Sequence, residues 1–307
     1  MKKVATLLAA LMLMTAAFAG CGDTGSNSSA AETSTSSTVS ETSASESESS
    51  SEAAGDETSS EASAAETGDY GEFTTVEEGK LIMATNAQFP PYELVSDGEG
   101  FNGTGFEGID IEIASAIADK LGLELQIDDM DFDSALVAVQ NDAADVVLAG
   151  LSYSEERDEV LDFTDSYATG VQVVIVKEYS DVTMDNLGEK MIGTQRGTTG
   201  YIYASDTPEN GGYGEDHVSA YDNGATAVQA LVNGQVDAVI IDEAPAKEYV
   251  AANDGLTILP GNWVEEQYCA AVNEGNTELL NAINTALNEL MDDGTVQEIL
   301  DKYITAE

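Results

Sequence analysis

The chain of 307 residues holds two arginines, Arg157 and Arg196, one histidine, His217, and two cysteines, Cys21 and Cys269. With one His, neither His-dependent catalysis nor a multi-His metal site is expected, and two Cys supply neither a disulfide framework nor a Cys-rich zinc site. The arginines are the informative cations, because a guanidinium is a planar fork that matches a carboxylate bidentately. Arg157 closes the segment Ser152-Tyr153-Ser154-Glu155-Glu156-Arg157, and a short turn there lets the Ser hydroxyl and the Arg fork converge on one anion. A surface pair with Glu155, Glu156 or Asp158 is the alternative. Gly197-Thr198-Thr199-Gly200 leads into Tyr201-Ile202-Tyr203-Ala204. Free N–H groups at a helix start bind anions, and a plain turn with a Thr cap is the simpler reading. Asp242 either offsets a bound ammonium or caps a helix that begins at Ala244-Pro245-Ala246. Phe89, Tyr92 and Phe132 wall a pocket or belong to the core.

These residues need strands to present them. Lys80 to Ala84 reads as a short apolar strand after the turn signal Glu78-Gly79. Ile109, Ile113, Ile117 and Leu121 recur every four residues, which predicts an amphipathic helix with Asp110 at its start and Gly122 at its end. Leu123 to Ile127 alternates as a strand, Asp133 or Ser134 caps a helix over Ala135–Gln140, and Asp145 to Gly150 reads as a strand buried on both faces. The pattern then restarts, with strands at Val171–Val176, Met191–Thr194 and Val236–Ile241, a helix over Ala225–Val232 stopped by Asn233-Gly234, a late strand at Ala270–Val272 and a last helix from Asn276 to about Met291. Two α/β units in series predict two lobes with a cleft between them. Ligands in open parallel sheets bind beyond the carboxyl ends of strands, and the segments after Ala84, Leu148, Thr194 and Ile241 carry the residues singled out above.

Composition narrows the function classes. With 58 acidic and 10 basic side chains the formal charge is −48. That excludes a nucleic-acid binder and argues against docking on an anionic membrane through protein charge. No run of about 18 apolar residues follows the N-terminus, so no downstream segment is expected to span a bilayer. Lys2-Lys3 and the apolar stretch Val4 to Phe18 suit a signal peptide over residues 1–20. Phe18-Ala19-Gly20-Cys21 resembles a bacterial lipoprotein box, with Phe18 where Leu is usual; the resemblance implies that Cys21 is lipidated and becomes the mature N-terminus. Residues 21–72 are Ser, Thr, Ala, Gly and Glu without apolar periodicity, which predicts a disordered, self-repelling tether between anchor and domain. Cys269 is then a lone, buried thiol.

Together, Asn86-x-x-Phe89-Pro90-Pro91-Tyr92-Glu93, Gly108-Ile109-Asp110, Asp131-Phe132-Asp133, Ala149-Gly150-Leu151-Ser152 with Arg157, Gln195-x-Gly197-Thr198-Thr199 and Asp237 to Asp242 resemble the family-3 extracellular solute-binding proteins, the polar amino-acid-binding lipoproteins of ABC importers. The resemblance covers Gly79 to Tyr303. It implies an α/β, two-lobed periplasmic-binding-protein-like fold of type II, its lobes joined by two crossing strands. Lobe 1 would hold 73–168 plus 266–307, and lobe 2 169–265 with the hinge segments.

It also implies roles. Arg157 would clamp the α-carboxylate, helped by the Ser152 hydroxyl and backbone N–H groups around Thr198 and Thr199. Asp242 would take the α-ammonium with the Gly150 carbonyl, Phe89 and Phe132 would sandwich the side chain, and Asn86 and Gln195 would face its end. Asn86 stands where members that take cationic amino acids often carry an acid, so a polar or uncharged side chain is favoured. Glu93 and Glu243 would serve a basic ligand, and Arg196 would pair with an acidic ligand side chain if it turns inward and be a rim charge if it points out. The expected partners are a free L-amino acid and a membrane permease. The protein is expected to be a monomer anchored through Cys21 at the extracellular face of the cell membrane, without cofactor or metal. An enzyme on the same scaffold, a dehydratase or lyase, needs a general acid or base; His217 lies in a Gly-rich stretch away from the strand ends, leaving Glu243 as a candidate. A module presenting bound ligand to a receptor would have the same site and a different partner.

Overall fold

A computed structural model describes residues 68–304; the expected signal peptide, Cys21 and the tether up to residue 67 lie outside the described residues. The chain runs through β1 (Lys80–Thr85), a small sheet of β2 (Gln88–Phe89), β3 (Glu93–Val95) and β4 (Phe106–Glu107), then α1 (Ile109–Leu121), β5 (Glu124–Asp129), α2 (Phe132–Gln140), β6 (Val146–Val147) and β7 (Leu161–Phe163). The long β8 (Ala168–Lys177) leads into β9 (Ile192–Gln195), α3 (Thr199–Ser205), β10 (Val218–Tyr221), α4 (Gly224–Asn233), β11 (Ala238–Asp242), α5 (Glu243–Ala252) and β12 (Leu256–Ile258). Then β13 (Val264–Tyr268) returns to β14 (Ala271–Asn273), α6 (Thr277–Asp292) and α7 (Thr295–Tyr303).

The result is a two-lobed α/β fold. One sheet has the order β5-β1-β6-β14-β7, and the other β10-β9-β11-β8-β12 with β13 also on β8. β8 and β13 pair antiparallel, from Ala168 opposite Tyr268 to Gln172 opposite Val264, and these two strands cross between the lobes. Parallel pairing holds for β5-β1-β6 and for β10-β9-β11, while β8, β13 and β14 run antiparallel to their neighbours.

In α1, Ile109, Ile113 and Ile117 are all but fully buried, each stabilising the fold by about 1.5–3 kcal/mol relative to exposure. Gly122 ends the helix in the left-handed conformation (φ 71°) and returns its N–H to Ala118 and Asp119. Asp110, expected at the helix start as a cap, makes no capping bond; its side chain is fully buried and accepts from the Gly150 N–H and the Tyr167 hydroxyl.

Three other elements differ from expectation. α2 begins at Phe132, not Ala135, with Asp131 at the cap position. The strand expected over Asp145–Gly150 is paired only at Val146–Val147. Asp145 instead accepts the N–H groups of Val76 and Ile82 at 2.7 Å, and Gly150, at φ 53°, turns the chain toward the cleft. Within the expected tether, the Tyr70 hydroxyl donates to Glu289 of α6 at 2.9 Å.

Candidate functional site

The carboxyl ends of β1, β6, β9 and β11 converge on one cavity. The ten residues given binding roles from the sequence all line it, whereas Tyr92 does not and is buried in the core between Phe89 and Tyr268. Asn86 and Phe89 follow β1, Phe132 opens α2, and Gly150, Ser152 and Arg157 follow β6. Gln195, Thr198 and Thr199 come from the turn between β9 and α3, and Asp242 ends β11. Glu93 and Gln172 line it too. Arg196 points away, half exposed and 3.8 Å from Asp222. Glu243 pairs with Lys247 at 3.3 Å on the outer surface. His217 lies outside the cavity, its Nδ1 3.3 Å from the Lys190 carbonyl oxygen. Cys269 is a free, buried thiol, pushed up to about 11 by burial.

Arg157 is 6% exposed, so it is not the surface partner of the neighbouring acids. Its two terminal nitrogens donate to the carbonyls of Ser152 (2.5 Å) and Gly197 (3.0 Å), one from each side of the cleft, and its Cζ lies 5.5 Å from the Phe132 ring centroid. Desolvation opposes its charge, which nearby Glu266 favours. Asp242 makes no capping bond to α5. Its carboxylate accepts from the Tyr268 hydroxyl and, at 2.9 Å, from the Gln172 amide. Burial nevertheless raises it to about 7. Thr198 caps α3, accepting from the Tyr201 N–H at 3.3 Å and donating to the Gln195 carbonyl.

The far end of the cavity is built from amides and acids. The Gln195 amide donates to the Asn86 oxygen at 3.0 Å across the cleft, and the Asn86 amide donates to the Met130 carbonyl. Glu93 is fully buried beside Asp110, and the two acids share a hydrogen bond in which the protonated Glu93 carboxyl donates. Burial, with Asp110 beside it, holds Glu93 well above the usual carboxylate range. Asp110 itself is raised to about 6 by burial, an effect moderated by donors from the Gly150 N–H and the Tyr167 hydroxyl. Gly150 is required here: a Cβ would sit 2.6 Å from the Phe89 ring in a backbone conformation that side chains avoid.

A buried cation and buried acids around an enclosed cavity between two lobes make a binding site for a small charged molecule. The model of the bacterial extracellular solute-binding proteins, family 3, matches residues 81–306. The chain belongs to that family. Among its relatives is the arginine-binding extracellular protein ArtP of Bacillus subtilis, 33% identical over 232 residues, with 74% of this chain and 87% of that protein covered. The L-cystine-binding protein TcyJ of Escherichia coli is 30% identical over 235 residues, covering 75% and 85%. A solved ancestral arginine-binding protein bound to arginine is 38% identical, with a TM-score of 0.66 and 74% and 98% of the two chains covered. As a family-3 solute-binding protein the chain is a binding protein, not an enzyme.

The sequence reading missed Gln172, Glu266 and Tyr268, all on the crossing strands. Gln172 had a signal, as a polar residue inside the apolar run Val171–Val176 that is buried in the structure. Glu266, within Glu265-Glu266-Gln267, had none.

Proposed function

We propose that this solute-binding protein captures a free L-amino acid outside the cell and delivers it to the permease of an ABC importer. The observation that carries the reading is one cavity lined by a buried guanidinium, Arg157, and a buried carboxylate, Asp242, 6% and 8% exposed. A zwitterion neutralises both, whereas either charge left unpaired in a closed cleft is costly. Arg157 takes the α-carboxylate with N–H groups around Thr198 and Thr199. Asp242 and the Gly150 carbonyl take the α-ammonium, and Phe89 and Phe132 enclose the side chain. Lobe 1, from 73–168 and 266–307, closes on lobe 2, from 169–265. The protein acts as a monomer, held at the membrane by a lipid on Cys21 and the acidic tether.

The cationic amino acids are the favoured ligands. Glu93, a buried acid beside Asp110, lines the cavity, and Asp242 and Glu266 stand around its cation Arg157. ArtP and the ancestral protein are both named for arginine. The Asn86–Gln195 amide pair favours a second reading, a polar uncharged side chain.

The test is thermal unfolding of residues 68–307 against all common L-amino acids and cystine, for the natural sequence and Arg157→Ala. Ligand at about 100 times its dissociation constant adds about 2.7 kcal/mol, a shift of several degrees at roughly 2–4 °C per kcal/mol. A shift with arginine or lysine, lost in Arg157→Ala, supports the cationic reading, and one confined to glutamine or asparagine supports the second. No shift with any amino acid sinks both. Cys21→Ser should release the protein into the medium; retention at the membrane would refute the anchor.

A further inference from the structure

Glu266 lies on β13, behind the cavity wall, and is 8% exposed. One of its oxygens, Oε2, accepts three hydrogen bonds: from the Ser152 hydroxyl (2.9 Å), the Thr199 hydroxyl (3.0 Å) and the Gln172 amide (3.1 Å). The other, Oε1, is buried without a donor. Leaving a buried acceptor unsatisfied is destabilising, so Glu266 is not explained by fold stability. Its three partners are distributed in a telling way. Ser152 lies beside the first sheet, Thr199 opens α3 beside the second, and Gln172 is on the crossing strand β8.

A carboxylate only accepts, and a hydroxyl has one proton to donate. The protons of Ser152 and Thr199 therefore point backward to Glu266, and only their lone pairs remain for the cavity that both residues line. Gln172 extends the same order: its amide donates to Glu266 and to Asp242, whose other oxygen accepts from Tyr268.

We propose that Glu266 sets the hydrogen-bond polarity of the cavity: by accepting the hydrogen bonds of the Ser152 and Thr199 hydroxyls it leaves only their lone pairs facing the ligand, so that the α-ammonium proton not taken by Asp242 or the Gly150 carbonyl finds an acceptor there. This rests on the amino-acid reading above and changes one part of it. Ser152 serves the ammonium, and the carboxylate is left to Arg157 and backbone N–H groups. Glu266 is thus a positioning residue that discriminates ligands by their amine without lining the cavity.

The test compares L-arginine and L-glutamine, each with its α-deamino analogue, by calorimetric titration of residues 68–307. The preference is the ratio of the two dissociation constants. Glu266→Met frees both hydroxyls to donate and should lower the preference by about tenfold or more, the loss of one or two hydrogen bonds to a charged group. Glu266→Gln keeps an acceptor oxygen for the same donors, and its preference should stay within about threefold of the natural value. Should Glu266→Met fail to fold, Thr199→Val, which removes one acceptor and keeps the shape, should lower the preference on its own. Equal losses of amino acid and analogue in Glu266→Met or Thr199→Val would overturn the proposal, as would a Gln variant that collapses like the Met variant, since net charge would then be the cause. A natural protein that binds no amino acid in the unfolding screen would overturn the underlying reading, and this proposal with it.

Discussion

Glu93→Gln is the substitution that most directly tests the charge of the ligand side chain. Glu93 is fully buried, lines the cavity and hydrogen-bonds to Asp110 behind it. A ligand cation at about 4 Å would gain about 4 kcal/mol at an effective dielectric of about 20. Part of that is offset because Glu93 must first lose its proton, and burial beside Asp110 favours the protonated form. The net contribution is then that of a hydrogen bond to a charged group, about 1.5–3 kcal/mol, or about ten- to 150-fold in Kd. Gln has the same shape and keeps the cavity filled, so the loss reports charge rather than packing. The assay is calorimetric titration of both proteins with L-arginine and L-glutamine. Arginine affinity should fall by that factor while glutamine changes little. Unchanged arginine affinity, or equal loss for both ligands, would refute the argument and shift weight to the Asn86–Gln195 amides.

Three further outcomes follow from the same geometry. Arg157→Lys replaces a fork that reaches the Ser152 and Gly197 carbonyls with a single ammonium; affinity should fall by about 2 kcal/mol or more, about thirtyfold, and a titration showing less than threefold loss would contradict the clamp. Gly170→Ala places a methyl against the Tyr268 ring on the opposing crossing strand, which should cost about 1–3 kcal/mol, several degrees in Tm, and weaken ligand binding because Tyr268 holds Asp242. The third concerns pH. Asp242 and Asp110 are raised to about 7 and about 6 by burial, against about 3.9 in the unfolded chain. Between those values the folded state binds more protons, so the empty protein should lose stability as pH rises from about 4 to about 7. Ligand stabilisation should grow over the same interval as an ammonium pairs with ionised Asp242; a ligand-induced Tm shift that is flat from pH 5 to 7.5 would contradict this.

Much of the molecule was legible in its sequence because the signals are local. The four-residue spacing of Ile109, Ile113 and Ile117 specifies α1, Gly122 stops it, and apolar runs mark β1, β8, β9 and β11. Polar residues just past β1, β6, β9 and β11, in a chain with two arginines, pointed to Arg157, Asp242 and the rest of the cavity lining. Local spacing by itself left Arg157 open to a surface pair and Asp242 open to a helix cap. Tertiary structure decided both, since burial removes the solvent that would make those roles sufficient.

It also placed Glu93 and Asp110 side by side and brought Glu266 to Ser152 across 114 residues of chain. Nothing periodic or compositional marks such a pairing. It arises where β8 and β13 cross, and the position of that crossing is a property of two sheets packing together rather than of either strand. The types of residue available, their order along the chain and the elements that carry them are determined by sequence. Which acids lose their water, which hydroxyls turn their O–H toward a carboxylate, and so what the cavity presents to a ligand, are decided only when the two lobes come together.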